Sequence, residues 1–333
     1  MNIVVIGLGS MGKRRIRLLK RLIKNECQYV EMRWKIIGVD ADEKRCQEVR
    51  ERELIDVYTK LEDALANYRL DCAIVSSPPL SHADIITSCL ENNLHVFTEL
   101  NLVSQGYDKN IDLANSYGKV LFLSSTFLYR KEVEFIKREL EKIKFEGNYR
   151  YHIGQYLPEW HPWESYKDFF VSNRETNACR EIFAIEMPWL VDTFGIVKTM
   201  KVCHKKISSL DIDYDDTYNV LIEHESGVMG NLVVDVVTPR TGRELEIWGE
   251  KIYIEWKGAP DTLQIYNCET KRLNEVKLYE ATDHIDEYAQ FVVENAYYDE
   301  MVNFIKSVEG RESPRYSFGQ DKYILGLIDR IEE

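Results

Sequence analysis

Three glycines carry the clearest chemistry in this chain. Gly7-Leu8-Gly9-Ser10-Met11-Gly12 directly follows the apolar run Ile3-Val4-Val5-Ile6 and leads into a helical pattern with apolar Ile16, Leu18, Leu19 and Leu22. A strand, a G-x-G-x-x-G loop and a helix in that order form a dinucleotide-binding turn. Gly7 permits the tight turn, Gly9 lets backbone approach a pyrophosphate, and Gly12 lets helix and strand pack closely. The pyrophosphate then belongs at the helix N-terminus, at Ser10 and Met11, where free N–H groups and the dipole favour an anion. A second strand, 34–39, ends in Asp40, a carboxylate able to accept hydrogen bonds from ribose hydroxyls and to repel a 2′-phosphate. Ala41 and Asp42 follow it, not arginine, so NAD is expected and NADP disfavoured. The basic cluster Lys13-Arg14-Arg15 reads as a solvated helix face, or as Lys13 or Arg14 touching cofactor phosphate.

The elements that must position these groups alternate. Helices at 61–66, 81–92 and 107–117 interleave with strands at 72–76, 95–98 and 120–124, which predicts a doubly wound parallel sheet. Ligands bind at the carboxyl ends of such strands. Ser76, Ser77, Pro78 and His82 after one strand, and Glu99 and Asn101 after the next, are therefore expected at the nicotinamide half of the cofactor. Beyond residue 130 the pattern changes. Helices at 131–143 and 178–194 accompany strands at 149–155, 199–207, 217–224, 228–237, 243–248 and 251–255, and helices at 287–308 and 318–331 close the chain. The expected fold is α/β: an N-terminal Rossmann domain over 1–125 and a C-terminal α+β domain over 126–333, built on a large, mostly antiparallel sheet.

Bulk properties exclude other classes. A formal charge of −13 argues against nucleic acid, whose phosphates need clustered cations. No apolar run approaches the roughly 20 residues that span a bilayer, and no leader precedes the first strand, so a cytoplasmic location with no membrane contact is expected. Seven scattered cysteines without C-x-x-C spacing suit reduced thiols, not a zinc site, so no metal is expected.

Taken together, the motifs resemble the glucose–fructose oxidoreductase, inositol dehydrogenase and rhizopine-catabolism (Gfo/Idh/MocA) family. The resemblance rests on Gly7 to Arg14, on Ser77-Pro78-Pro79-Leu80-Ser81-His82, on His95-Val96-Phe97-Thr98-Glu99, on 125–130 and on the strand at 243–248 with Gly249. The segment from Gly154 to Trp163 resembles members encoded with surface-polysaccharide genes, whose substrates are often nucleotide sugars. The family implies hydride transfer between NAD(P) and a sugar or polyol carbon, and homodimers or homotetramers paired through the second-domain sheet.

Two family signatures are altered. The usual Glu-Lys-Pro is Glu99-Leu100-Asn101, and Leu100 cannot transfer a proton. In the later Asp-x-Gly-x-His-x-x-Asp pattern, Ile185 and Pro188 stand where the His and last Asp belong, with Glu181 at the earlier acidic position and Glu186 after the His position. Alcohol oxidation still requires proton removal, worth roughly 10²–10⁴-fold. Glu181, Glu186, Tyr129 and His161 are the replacement candidates. Only one of the two glutamates should point inward, since five residues do not share a helix face. Arg130 and Arg180 could hold an anionic substrate group, and Trp160 and Trp163 could stack on a sugar ring. The reading is an NAD-dependent oxidoreductase of a sugar or nucleotide sugar. The alternative is an NAD-binding relative without alcohol-dehydrogenase activity, which regulates, scaffolds, or reduces an imine or double bond.

Overall fold

The computed structural model describes residues 1–25, 34–160, 165–280 and 293–333. The chain divides into two compact units, Met1–Ser125 with Tyr297–Tyr323, and Thr126–Ala296 with Ile324–Glu333. The first unit thus takes in a late segment that the sequence reading left in the second domain.

In the first unit the strands are β1 (Asn2–Ile6), β2 (Lys35–Val39), β3 (Asp56–Tyr58), β4 (Cys72–Val75), β5 (His95–Thr98) and β6 (Leu121–Leu123). They form one sheet in the order β3-β2-β1-β4-β5-β6, with every pair parallel. Ile3, Val4, Val5 and Ile74 are wholly buried, as a parallel sheet covered on both faces demands. Helices α1 (Ser10–Asn25), α2 (Glu43–Glu53), α3 (Leu61–Asn67), α4 (His82–Glu91) and α5 (Tyr107–Tyr117) connect the strands. Strand order reverses between β1 and β4, the point at whose strand carboxyl ends such sheets hold their ligands.

The second unit contains α6 (Lys131–Lys142), β7 (Asn148–Tyr156) and α7 (Ala178–Phe194). Strands β8 (Val197–Lys205), β9 (Thr217–His224), β10 (Met229–Asp235), β11 (Val237–Gly249), β12 (Ile252–Trp256), β13 (Gln264–Asn267) and β14 (Arg272–Glu275) follow. Their order is β14-β13-β12-β11-β7-β10-β9-β8, antiparallel except for the β7/β10 pair. Tyr149, Tyr151, Ile153, Leu232 and Ile247 are buried on one face, where Trp189 of α7 meets Tyr151 edge-on. On the other face, cross-strand register aligns Trp248, Asn148 and Met229 in one row and Glu246, Arg150, Asn231 and Leu221 in the next. The β13/β14 hairpin was not legible in sequence, because its short strands carry no alternating apolar pattern.

Helices α8 (Glu294–Val308) and α9 (Phe318–Glu332) complete the chain, and the expected helical residues 287–292 lie outside the described ones. Among the described residues no helix is long and apolar enough to cross a membrane.

Candidate functional site

The glycine loop has the geometry its sequence demands. Gly7 has φ +91°, and a β-carbon there would lie 2.6 Å from the Ser76 carbonyl carbon. At Gly12 a β-carbon would sit 1.8 Å from the Gly7 carbonyl oxygen, so only glycine lets α1 begin against this turn. At Gly9 an added carbon meets only Arg45 Nη1, at 4.0 Å, leaving room over the loop. The first turn of α1, with Ser10 and Met11, carries no acidic side chain to compete for an anion. Asp40 ties the loop to β2: its carboxylate accepts from Leu8 N at 2.7 Å and from Asp42 N at 2.9 Å. A carboxylate has about four acceptor positions, so capacity remains for ribose hydroxyls. These features fit a dinucleotide.

Arg45 of α2 was not anticipated. Its Nη1 lies 3.8 Å from Asp40 Oδ2, and the side chain is half exposed. An arginine does stand beside Asp40, supplied one helical turn onward and not by the next residues. The basic cluster of α1 is likewise more than a solvated face. Lys13 pairs with Glu48 at 2.6 Å, Arg14 is buried with its guanidinium 4.5 Å from the Tyr297 ring, and Arg15 is wholly buried.

Around the carboxyl ends of β4 and β5, side chains support one another. Ser81 Oγ lies 2.9 Å from Ser77 Oγ, and Ser76 Oγ lies 3.4 Å from Glu99 Oε1. His82 Nε2 donates to the Ser77 carbonyl at 2.7 Å, while its Nδ1 lies 2.6 Å from Asn101 Oδ1. Burial depresses the His82 pKa, so the ring is neutral and cannot donate from both nitrogens. Asn101 Nδ2 is meanwhile buried without a partner. Turning the amide over resolves both problems, placing Nδ2 as donor to His82 Nδ1. His82 and Asn101 were expected to contact the cofactor, but both are about 98% enclosed. They brace the Ser77–Pro78 loop instead.

Glu99 is held from behind. Arg15 Nε and Nη2 donate to its two oxygens at 2.6 and 2.8 Å, and Nη2 also reaches Glu300 Oε2 of α8 at 2.9 Å. The guanidinium lies 4.5 Å from the Phe97 ring. Arg15 and Glu300 were missed, although a signal existed. Arg15 falls on the stripe of Leu18, Leu19 and Leu22, which helical periodicity turns inward.

In the second unit, α7 separates the two candidate glutamates. Glu186 is fully buried and accepts from Arg243 Nε at 2.7 Å, Tyr151 Oη at 2.8 Å and Trp189 Nε1 at 2.8 Å. Its hydrogen bonds are spent inside the unit, so it anchors α7 and does not serve as the expected proton-transfer group. Glu181 is different. It is partly exposed, its Oε2 has no hydrogen-bond partner, and loss of hydration raises its pKa to about 7. Ile185, one turn on and on the same face, is also partly exposed and brings no polar group.

Two arginines expected at substrate are structural. Arg130 is buried, with Nε and Nη2 donating to Glu132 at 3.0 and 2.9 Å and Nη2 to the Gly258 carbonyl at 3.0 Å. Arg180 is also buried and ion-paired with Asp329, at 2.6 Å, and with Glu332 of α9. Both guanidinium groups are enclosed by acids of their own unit, which removes them as free anion binders. Tyr129 is buried at the end of a short turn, and Trp160 is partly exposed after β7. His161 and Trp163 lie outside the described residues. Among the described residues, no group of His, Cys, Asp and Glu could hold a metal ion.

Comparisons with known proteins bear on this geometry. Residues 1–125 match the model of the Gfo/Idh/MocA oxidoreductase family, NAD-binding Rossmann fold. Over 157 residues, 45% of this chain, the sequence is 31% identical to mouse (Mus musculus) biliverdin reductase A. The match spans about half of that protein, 48% of its length. The WlbA dehydrogenase of Bordetella pertussis, solved with NADH and UDP-GlcNAcA, superposes with TM-score 0.72 at 16% identity, covering 99% of this chain and 94% of that one. UDP-N-acetylglucosamine 3-dehydrogenase GnnA of Acidithiobacillus ferrooxidans gives TM-score 0.72 at 15% identity, covering 100% and 96%. At such identities the likeness establishes the fold along the whole chain.

Proposed function

We propose that this chain, whose residues 1–125 match the Gfo/Idh/MocA oxidoreductase family model, is an NAD-dependent oxidoreductase of a sugar or nucleotide sugar with Glu181 as proton-transfer group. NAD, when bound, supplies or accepts the hydride. The loop from Gly7 to Gly12 and the N-terminus of α1 hold its pyrophosphate, Asp40 its adenosine ribose, and Ser76, Ser77 and Glu99 its nicotinamide half. Glu181 takes the hydroxyl proton in oxidation and returns it in reduction. The observation that carries this reading is its carboxyl group, with Oε2 lacking a hydrogen-bond partner and a pKa near 7, on the helix face where family members present a histidine. A general acid–base group works best when its pKa lies near the working pH. The WlbA and GnnA likenesses support a nucleotide sugar as substrate. The test is NADH binding and turnover against UDP-, GDP- and CMP-sugars.

A second reading, reduction of an imine or conjugated double bond, is favoured by Leu100 and Ile185, which supply no proton, and by the likeness to biliverdin reductase A. A member that binds NAD without turnover is a third. Leu100→Lys separates them: increased activity on a sugar alcohol marks a modified dehydrogenase, and unchanged activity favours the other readings.

We also infer a homodimer or homotetramer built on the uncovered sheet face, where Leu221 and Met229 are 57% and 55% exposed. Sedimentation of a Leu221→Glu, Met229→Glu variant tests this, dissociation being expected. A cytoplasmic setting is consistent with free thiols at all described cysteines.

A further inference from the structure

Arg15 is the only cation hydrogen-bonded to Glu99 among the described residues, and it divides its guanidinium between two acids. Glu300 is fully buried, and its oxygens receive Arg15 Nη2, Ser125 N at 2.8 Å and Ser124 Oγ at 3.0 Å. These donors favour the charged form of a carboxyl whose pKa burial raises. Arg15 is thus shared between two carboxyl groups, in an interior where little water screens them. Of the three, Glu99 is the one that reaches the surface, beside Ser76 and the glycine turn.

We propose that Glu300 is a positioning residue that sets the balance between oxidised and reduced cofactor. By drawing on Arg15 it leaves Glu99 incompletely neutralised, and the remaining negative charge favours the cationic ring of NAD+ over the neutral ring of NADH. The inference rests on the reading of Glu99 as part of the nicotinamide site. It adds a residue from the far end of the chain and a preference that the loop alone does not specify. A purely structural Glu300 would alter stability while leaving the two cofactor forms equally affected.

Dissociation constants for NAD+, NADH and ADP-ribose, measured on the wild-type chain and on Glu300→Gln, decide the matter. ADP-ribose lacks the nicotinamide, so it reports the folded adenosine half alone. Glu300→Gln is expected to weaken NAD+ relative to NADH about fivefold, the scale of one partly screened charge, with ADP-ribose unchanged. An unchanged NAD+/NADH ratio in a variant that still binds ADP-ribose overturns the proposal. If Glu300→Gln binds no ADP-ribose because it fails to fold, the wild-type ratio decides: NADH bound more than about tenfold tighter than NAD+ overturns the proposal, and near-equal or tighter NAD+ binding sustains it. A wild-type chain that binds neither ADP-ribose nor NAD+ overturns the cofactor reading itself.

Discussion

Glu181 and Glu186 stand five residues apart on α7, yet one carboxyl has an oxygen without a hydrogen-bond partner and the other is fully buried under three donors. A five-residue step rotates a side chain well away from the starting face, and the sheet claims only Glu186. The helix thus uses one glutamate to fix its position and leaves the other available.

Substituting Glu181→Gln tests that division. The folded pKa of about 7 exceeds the unfolded value of about 4.3. Between those values the folded state keeps a proton that the unfolded chain has lost, so wild-type stability falls as pH rises through this window. The total loss is up to about 4 kcal/mol, and it is complete above pH ~7. Glu181→Gln should therefore melt near the wild-type temperature at low pH and above it in alkaline solution. Calorimetry across pH measures this, and parallel stability–pH curves for the two proteins would contradict it.

Removing the other carboxyl should do the opposite. Glu186→Ala leaves Arg243 buried without its ion-pair partner, which costs about 3–5 kcal/mol. Urea unfolding should show a loss of that order with no feature specific to pH 7. A stable variant with an altered pH–rate profile would return Glu186 to the chemistry.

Cofactor choice depends on Asp40 and Arg45 together. Asp40→Ala removes the carboxylate proposed to meet the ribose and takes from Arg45 the acid that lies 3.8 Å from it, which would let Arg45 meet a 2′-phosphate. NAD affinity should fall about tenfold or more, with the preference over NADP relaxed, and Arg45→Ala in the same background should abolish any gained NADP binding. Titrations with both dinucleotides measure this. Unchanged preference would remove Asp40 from the ribose site.

Gly12→Ala addresses the loop itself. With 1.8 Å to the Gly7 carbonyl oxygen, a methyl group must push α1 off the turn, so NADH binding should be lost or the unit destabilised by several kcal/mol. Fluorescence titration and thermal melting read the two effects. Undiminished binding would show that the turn is not the cradle.

Much of the cofactor half was legible in sequence because its chemistry is local. Gly7, Gly9, Gly12 and Asp40 lie within a single βαβ unit, where backbone contacts demand glycine at 7 and 12 and Asp40 accepts from Leu8 N. The braces were not legible, because they join distant parts of the chain. Arg15 meets Glu300 across 285 positions, and Arg180 meets Asp329 across 149. Charge alone does not reveal whether an arginine waits for substrate or is already paired, so sequence offers Arg130 and Arg180 as anion binders where the structure pairs them with acids. Burial also reassigned His82 and Asn101 from cofactor contact to loop support, a distinction that strand-end position cannot make.

The central claim is that Glu181 moves the substrate proton in an NAD-dependent reaction. The most direct test is the pH dependence of kcat/KM, for whichever nucleotide sugar the chain turns over, in wild-type and Glu181→Gln protein. The wild-type profile should show a limb near pH ~7, falling below it for oxidation or above it for reduction. Glu181→Gln should lose that limb and drop in rate by roughly 10²–10⁴-fold while still binding NADH. A variant that keeps both the limb and the rate would contradict the account.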